Sequence, residues 1–157
     1  MDDAEYHKKL GWAATCMMGS DLYCQYPLAC LTLWIRPAIL LDQIRFFFDR
    51  SGAVSGYFTW AHLAHDTEER LLHDPSFLLH VSEWNEGDRL WVLDFVNLRG
   101  GVQQKLSQIA ASFPHEREAR ALRRRDDGSV RKVTLWRRLA SDRRTIRASR
   151  PLRARHA

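Results

Sequence analysis

Apolar positions along this chain recur with two different periods, and the switches between them divide it into elements. Leu10, Ala13, Ala14 and Met17 fall on one face of a 3.6-residue turn, so residues 3–18 read as a helix that Gly19-Ser20-Asp21 ends. A near-continuous apolar run over 28–35 reads as an extended segment, stopped by Arg36-Pro37. Residues 43–49 and 54–60 read as two strands joined as a hairpin through Arg50-Ser51-Gly52. Asp66-Thr67-Glu68-Glu69 supplies a cap residue and first-turn acids for a helix over 66–73, which Asp74-Pro75 terminates.

Val92, Leu93 and Phe95 then form the apolar run of a buried strand. Arg99-Gly100-Gly101 leads into a helix over 102–113, with Val102, Leu106, Ile109 and Phe113 on one face and Pro114 at its end. Residues 119–125 and 129–136, joined by Asp126-Asp127-Gly128, make a last hairpin. The pattern predicts a single α+β domain over 1–139, a central sheet with flanking helices. Beyond Leu139 the apolar period is lost, so residues 140–157 are expected to form a basic, loosely ordered tail.

At 157 residues the chain is long enough for one well-buried core. It contains no run of eighteen apolar residues, and Asp2, Asp3 and Glu5 are the reverse of a basic signal-peptide start, so a soluble cytoplasmic protein is expected. Cys16, Cys24 and Cys30 are odd in number and lack metal-ligand spacing, which argues against a disulfide scaffold and a zinc site. Charge is divided unevenly. From Arg117 onward fifteen Lys and Arg face four Asp and Glu, giving +11, whereas residues 1–116 carry nine against fifteen, giving −6. The C-terminal third should therefore attract anions: nucleic acid, anionic lipid or an acidic protein.

Asp94 changes the picture most. A carboxylate inside an apolar strand must be exposed at the strand end, paired, or shifted in proton affinity, and it is either a satisfied structural acid or a catalytic one. The words around it are specific: Leu10-Gly11, Ser20, Pro27, Pro37-Ala38-Ile39, Gln43, Tyr57, Trp60-Ala61, Leu63, Trp84, and above all Gly87-Asp88-Arg89-Leu90-Trp91 followed by Asp94. In this order, from about residue 10 to about 138, the chain resembles the RTX toxin-activating lysine acyltransferases.

That resemblance implies a fold like the Gcn5-related N-acyltransferases. It also implies transfer of a fatty acyl group from acyl carrier protein to internal lysines of an RTX protoxin, with no bound cofactor. Members of the family often act as dimers, and they are credited with a His–Asp pair. Asp94 matches that Asp. The His falls in a Ser-x-x-His-x-x-(Trp)-Pro pattern, and here the stretch Ser20 to Pro27 places Tyr23 at that position. A phenol with an ordinary pKa near 10 is a poor base at neutral pH. The resemblance therefore leaves Tyr23 as a donor to the leaving thiolate or the thioester carbonyl, and Asp94 as the group that holds or deprotonates the lysine. Arg123, Arg124 and Arg125 become candidates for docking the acidic carrier protein.

Several residues carry competing readings. Cys24 is a thiol beside Tyr23 with no base at recognisable spacing. His62 and His65 are the imidazoles that would substitute for the missing one if the fold brings either near Asp94, although cap-proximal surface histidines are commoner. Trp60, Trp84 and Trp91 either line an acyl groove or fill the core, and core is expected for at least two. Gly100-Gly101 at a helix start is a weak phosphate signal. Two alternatives stand beside the acyltransferase. One is an acyltransferase-fold binding protein without catalysis. The other is a nucleic-acid module built on the arginines of 120–125, with Arg131-Lys132 and Arg137-Arg138.

Overall fold

The computed structural model describes residues 1–124, 129–138 and 146–152. Their element order is α1 (Asp3–Met18), α2 (Arg36–Leu40), β1 (Ile44–Phe48), β2 (Val54–Leu63), α3 (His65–His73), β3 (Arg89–Asn97), α4 (Val102–Ser112), β4 (Glu118–Arg124), β5 (Val130–Arg138) and β6 (Ile146–Leu152). Short 3₁₀ turns cover Tyr23–Gln25 and Val81–Trp84. The class is α+β with a mixed sheet, as the sequence pattern predicts, and it is consistent with an acyltransferase fold of the Gcn5-related type.

The residues form two compact units, one made of 1–60 with 94–105 and the other of 61–93 with 106–157. In the first unit the strand order is β1-β2-β3. β1 pairs antiparallel with β2, Ile44 facing Thr59 and Phe46 facing Tyr57. β3 runs antiparallel to β2 there, because Leu98 N donates to Ser55 O and Asp94 N to Thr59 Oγ1. The hairpin between β1 and β2 is built by Asp49, whose Oδ1 accepts from Ser51 N, Ser51 Oγ and Ala53 N, while Gly52 takes a φ of 83°. Ala13, Cys16, Ile35, Ala38, Ile39, Ile44, Tyr57 and Phe58 form its buried interior.

The run over 28–35 is not extended. Its residues Leu31–Ile35 make a π-helical turn that continues directly into α2, with Arg36 N donating to Leu31 O. A short apolar run does not distinguish strand from buried helix by period. Pro37 stands in the first turn of α2, directly after the π-helical turn, and does not end the helical segment. The wider turn preceding it relieves the clash of the ring with the preceding carbonyls.

In the second unit the order is β2-β3-β4-β5-β6. β3 pairs parallel with β4 at Trp91–Arg120 and Val92–Ala121, and β4, β5 and β6 continue antiparallel. Leu63, Leu71, Trp84, Leu90, Trp91 and Ile109 are buried. The segment expected to be loose beyond residue 139 contains β6, paired with β5; backbone pairing needs no apolar period, which is why the sequence pattern missed it. Among the described residues no helix is long and apolar enough to cross a membrane.

Gly87-Asp88-Arg89-Leu90-Trp91 serves the architecture of this second unit. A Cβ on Gly87 would lie 2.0 Å from Leu63 O, so only glycine permits the backbones to approach, and Gly87 N donates to His62 O at 3.0 Å. Buried Glu68 of α3 accepts from Arg89 Nη1 and from Trp91 Nε1 at 2.9 Å, with Arg120 Nε at 3.5 Å. The acid expected to act on its own helix terminus instead receives two strands. Arg70, on the same helix, bonds Glu83 at 2.6 Å and Thr67 Oγ1 at 3.0 Å.

Candidate active site

The first unit brings Tyr23 and Asp94 together across 71 residues of sequence. Tyr23 Oη donates to Asp94 Oδ1 at 2.6 Å, and both side chains are half-buried. Asp94 is placed by β3, and Tyr23 by the 3₁₀ turn that follows the end of α1 at Gly19. The second carboxylate oxygen accepts from Thr59 Oγ1 at 3.3 Å, and that same oxygen of Thr59 accepts from Asp94 N at 3.1 Å. Thr59, fully buried on β2, thus reads both the backbone and the side chain of Asp94.

No cation is among these partners. Burial pushes the Asp94 carboxyl above its ordinary range, and the hydroxyls of Tyr23 and Thr59 oppose that shift only in part. Tyr23 is driven well above the usual phenol range, first by burial and then by the field of Asp94. Tyr23 therefore keeps its proton near neutrality and acts as a donor. Asp94 is the only one of the two able to accept a proton.

Around this pair the site is aromatic and thiol-rich. The ring of Tyr26 lies 5.2 Å from that of Tyr23 and 5.4 Å from that of Trp34. Tyr57 is fully buried on β2. Cys30 is buried, and burial together with the field of Asp94 raises its thiol, so it is a poor nucleophile in this state. Cys16, also buried, is pushed up to about 11. Cys24, beside Tyr23, is exposed and its Sγ meets Asp21 O at 3.5 Å.

The remaining candidates divide clearly. His62 Nε2 faces Glu116 at 3.4 Å, and His65 Nδ1 bonds Arg89 at 3.0 Å; both imidazoles are engaged within the second unit, and the partners of Asp94 are hydroxyls. Trp60, Trp84 and Trp91 are all buried. Gly100 takes a φ of 90° ahead of α4, and Arg99 O accepts from Lys105 Nζ at 2.7 Å. Lys105 is a buried cation that the sequence reading passed over. Its Nζ also bonds Ser55 O at 2.8 Å and Asn97 Oδ1 at 2.6 Å, and lies 5.1 Å from the Phe47 ring. Its ligands are neutral, so it ties β2, β3 and α4 together as a structural cation.

The three arginines proposed for docking separate as well. Arg123 is exposed on β4, directly opposite Lys132 of β5. Arg124 is spent on structure, donating to Leu71 O at 2.7 Å, and burial lowers its proton affinity. Arg125 lies outside the described residues.

With this geometry in view, the likeness to known proteins is informative. Residues 3–137 match the model of the HlyC, RTX toxin acyltransferase, family. The chain is 27% identical over 132 residues to the leukotoxin-activating lysine-acyltransferase LtxC of Aggregatibacter actinomycetemcomitans, covering 83% of this chain and 77% of that protein. It is 30% identical over 125 residues to the RTX-I toxin-activating lysine-acyltransferase ApxIC of Actinobacillus pleuropneumoniae, covering 80% and 71%. Over 88 residues it is 31% identical to the protein-lysine myristoyltransferase RtxC of Kingella kingae, covering 56% and 52%.

Proposed function

Because this chain belongs to the RTX toxin acyltransferase family, we propose that it is a protein-lysine acyltransferase. It moves a fatty acyl group from acyl carrier protein to internal lysine ε-amines of an RTX protoxin and so activates it, with the cytoplasm as the site of reaction. The observation that carries this reading is the 2.6 Å hydrogen bond between Tyr23 and Asp94. It joins Asp94, which the resemblance assigns as the family's Asp, to Tyr23, which stands at the His position of the pattern that the resemblance implies.

The chemistry follows from what each group can do. A lysine amine is protonated at neutral pH and attacks only after losing a proton. Asp94, whose proton affinity burial has raised, accepts that proton. The free amine adds to the thioester carbon, the C–S bond breaks, and the nitrogen's second proton passes to the departing sulfur as the amide forms, so the carrier leaves as a thiol and Asp94 returns its proton to solvent. Tyr23, a donor throughout, turns its hydroxyl to the carbonyl oxygen or to the departing thiolate. Thr59 holds Asp94 in place. The thioester arrives on the carrier protein, so no further cofactor is required. Arg123 and Lys132, like charges on facing strands, supply the field for that acidic partner.

Intact-mass spectrometry of an RTX acceptor fragment, incubated with this protein and acyl carrier protein loaded with mixed acyl chains, tests the reading. An acyl mass gained with the parent and lost with Asp94→Asn is the expected result. One observation favours a second reading, an acyltransferase fold kept as a binding protein: the hydroxyl of Tyr23 is held on Asp94 and cannot serve as a base. No gain with the parent, but gain after Tyr23→His, would identify a fold retained without its original catalysis.

A further inference from the structure

Asp94 has a hydroxyl on each oxygen, while a third hydroxyl of the same unit stands unbonded among the described residues. Tyr57 is fully buried and its Oη has no hydrogen-bond partner among the described residues. A buried hydroxyl in that condition has given up its bonds to water without replacement, so it needs an explanation. Tyr57 stands two residues before Thr59 on β2, and alternation puts both side chains on one face of the strand. Thr59 is bonded to Asp94 from that face. Burial raises the Tyr57 phenol, and the next largest influence on it is the field of Asp94, followed by Cys16 and Cys30.

We propose that Tyr57 is a reserve donor to Asp94, taking over the carboxylate when Tyr23 leaves it for the substrate. The timing rests on the acyltransferase reading; the hydrogen-bond exchange does not. The two tyrosines are built for different parts. Tyr23 sits in a three-residue turn held by Tyr26 N on Tyr23 O at 3.1 Å and Cys24 N on Ser20 O at 2.9 Å, a segment with little to keep it closed. Tyr57 lies within a ten-residue strand, paired with Phe46 of β1.

When Tyr23 turns outward, Asp94 Oδ1 opens to a lysine ammonium and the carboxylate loses its shortest donor. Left with Thr59 alone, the carboxylate would hold a proton more tightly. A bond from Tyr57 keeps it ionisable through the exchange and gives the orphan hydroxyl its partner. Among the described residues the other titratable groups facing this cluster are Tyr26 beside Tyr23, Cys30 ahead of the π-helical turn, and Cys16 of α1, itself facing Lys105 of α4. Tyr57 is thus a positioning residue that acts through Asp94.

The test is titration of the Asp94 carboxyl by NMR in the full chain labelled with ¹³C-aspartate, without substrate, in the parent and in Y57F, Y23F and Y23F/Y57F. Y57F is expected to titrate like the parent, because Tyr23 still holds the carboxylate. Y23F should move by only a few tenths of a pH unit, and Y23F/Y57F should rise by roughly one pH unit or more, as follows from removing donors to a charged form. Identical titration of Y23F and the double variant would overturn the proposal. Should the double variant not fold, a crystal structure of Y23F decides: Tyr57 Oη within hydrogen-bond distance of Asp94 supports the exchange, and a Tyr57 still without a partner sinks it. No acyl donor is involved, so a parent that fails to transfer acyl groups removes the acyltransferase reading and leaves this result standing.

Discussion

Two carboxylates, one in each compact unit, are wholly or partly withdrawn from water and resolved in opposite ways. Glu68 in the second unit is met by the guanidiniums of Arg89 and Arg120 and by an indole N–H. Asp94 in the first is met by two hydroxyls, with no cation among its described partners. Guanidiniums neutralise a charge, whereas hydroxyl dipoles only soften it, so Glu68 is a fastener and Asp94 keeps a proton affinity available for chemistry. The stretch on which the resemblance leaned most, Gly87-Asp88-Arg89-Leu90-Trp91, supplies Arg89 and Trp91 to the fastener. Family signatures therefore mark architecture as readily as catalysis.

Asp94→Asn should break the comparison most sharply. It retains the shape and removes the proton acceptor, so transfer falls by about 10²–10⁴-fold, read as acyl mass gained per time. Stability should move the other way. The folded-state pKa of Asp94 is raised, so the folded protein binds its proton more tightly than the unfolded chain does. Stability is then lost as pH rises from the ordinary carboxylate range up to the raised folded value, and is level above it. Asp94→Asn should abolish that part of the pH dependence in thermal melts, and a variant melting with the parent's full pH dependence would contradict the assignment.

Glu68→Gln is the converse experiment. It leaves Arg89 and Trp91 without their anion, and Arg120 with Glu118 alone, and should cost about 2–3 kcal/mol in denaturant unfolding, below the fully buried range because Arg89 and Arg120 are partly solvated. The acid limb of the transfer profile should stay where it is in the parent. A shifted limb would mean that Glu68 is coupled to the reaction. The smallest effect belongs to the basic strands. Arg123→Glu should raise the KM for acyl carrier protein several-fold with kcat unchanged and salt dependence weakened, while Arg124→Gln should instead lower stability through its lost bond to Leu71 O. Equal kinetic effects of both would erase the distinction drawn between them.

Periodicity made the helices and the two hairpins legible, since α1, α4, β1, β2, β4 and β5 all lie close to where the apolar pattern puts them. It failed at residues 31–40, where a run of apolar residues has no period to read and Pro37 suggests a stop where the helical segment continues. It failed again at β6, where pairing depends on backbone bonds to β5. In the site, Asp94 stood out as a charge in an apolar strand, and Tyr23 only through its place in a family pattern. Thr59 and Lys105 carried no signal: β2 is buried on both faces, so alternation does not mark Thr59, and a lysine near a helix start reads as solvent-facing until Ser55, Asn97 and Arg99 close on it. The role of Glu68 was equally hidden, because an acid in a first helical turn already has a local explanation.

The π-helical turn at Leu31–Ile35 has a consequence for how this segment tolerates change in length. A π turn is an α-helix carrying one extra residue, and each helical residue turns the chain by about 100°. Deleting a single residue between 31 and 35 would narrow the turn to α-helical width and press the Pro37 ring toward the carbonyl four residues before it. It would also rotate everything before the deletion, Trp34's aromatic neighbour Tyr26 and the Tyr23 turn included, by about that angle relative to α2. The one surplus residue works as an angular setting, so a length change that looks harmless in an alignment would swing the phenol out of register with its carboxylate.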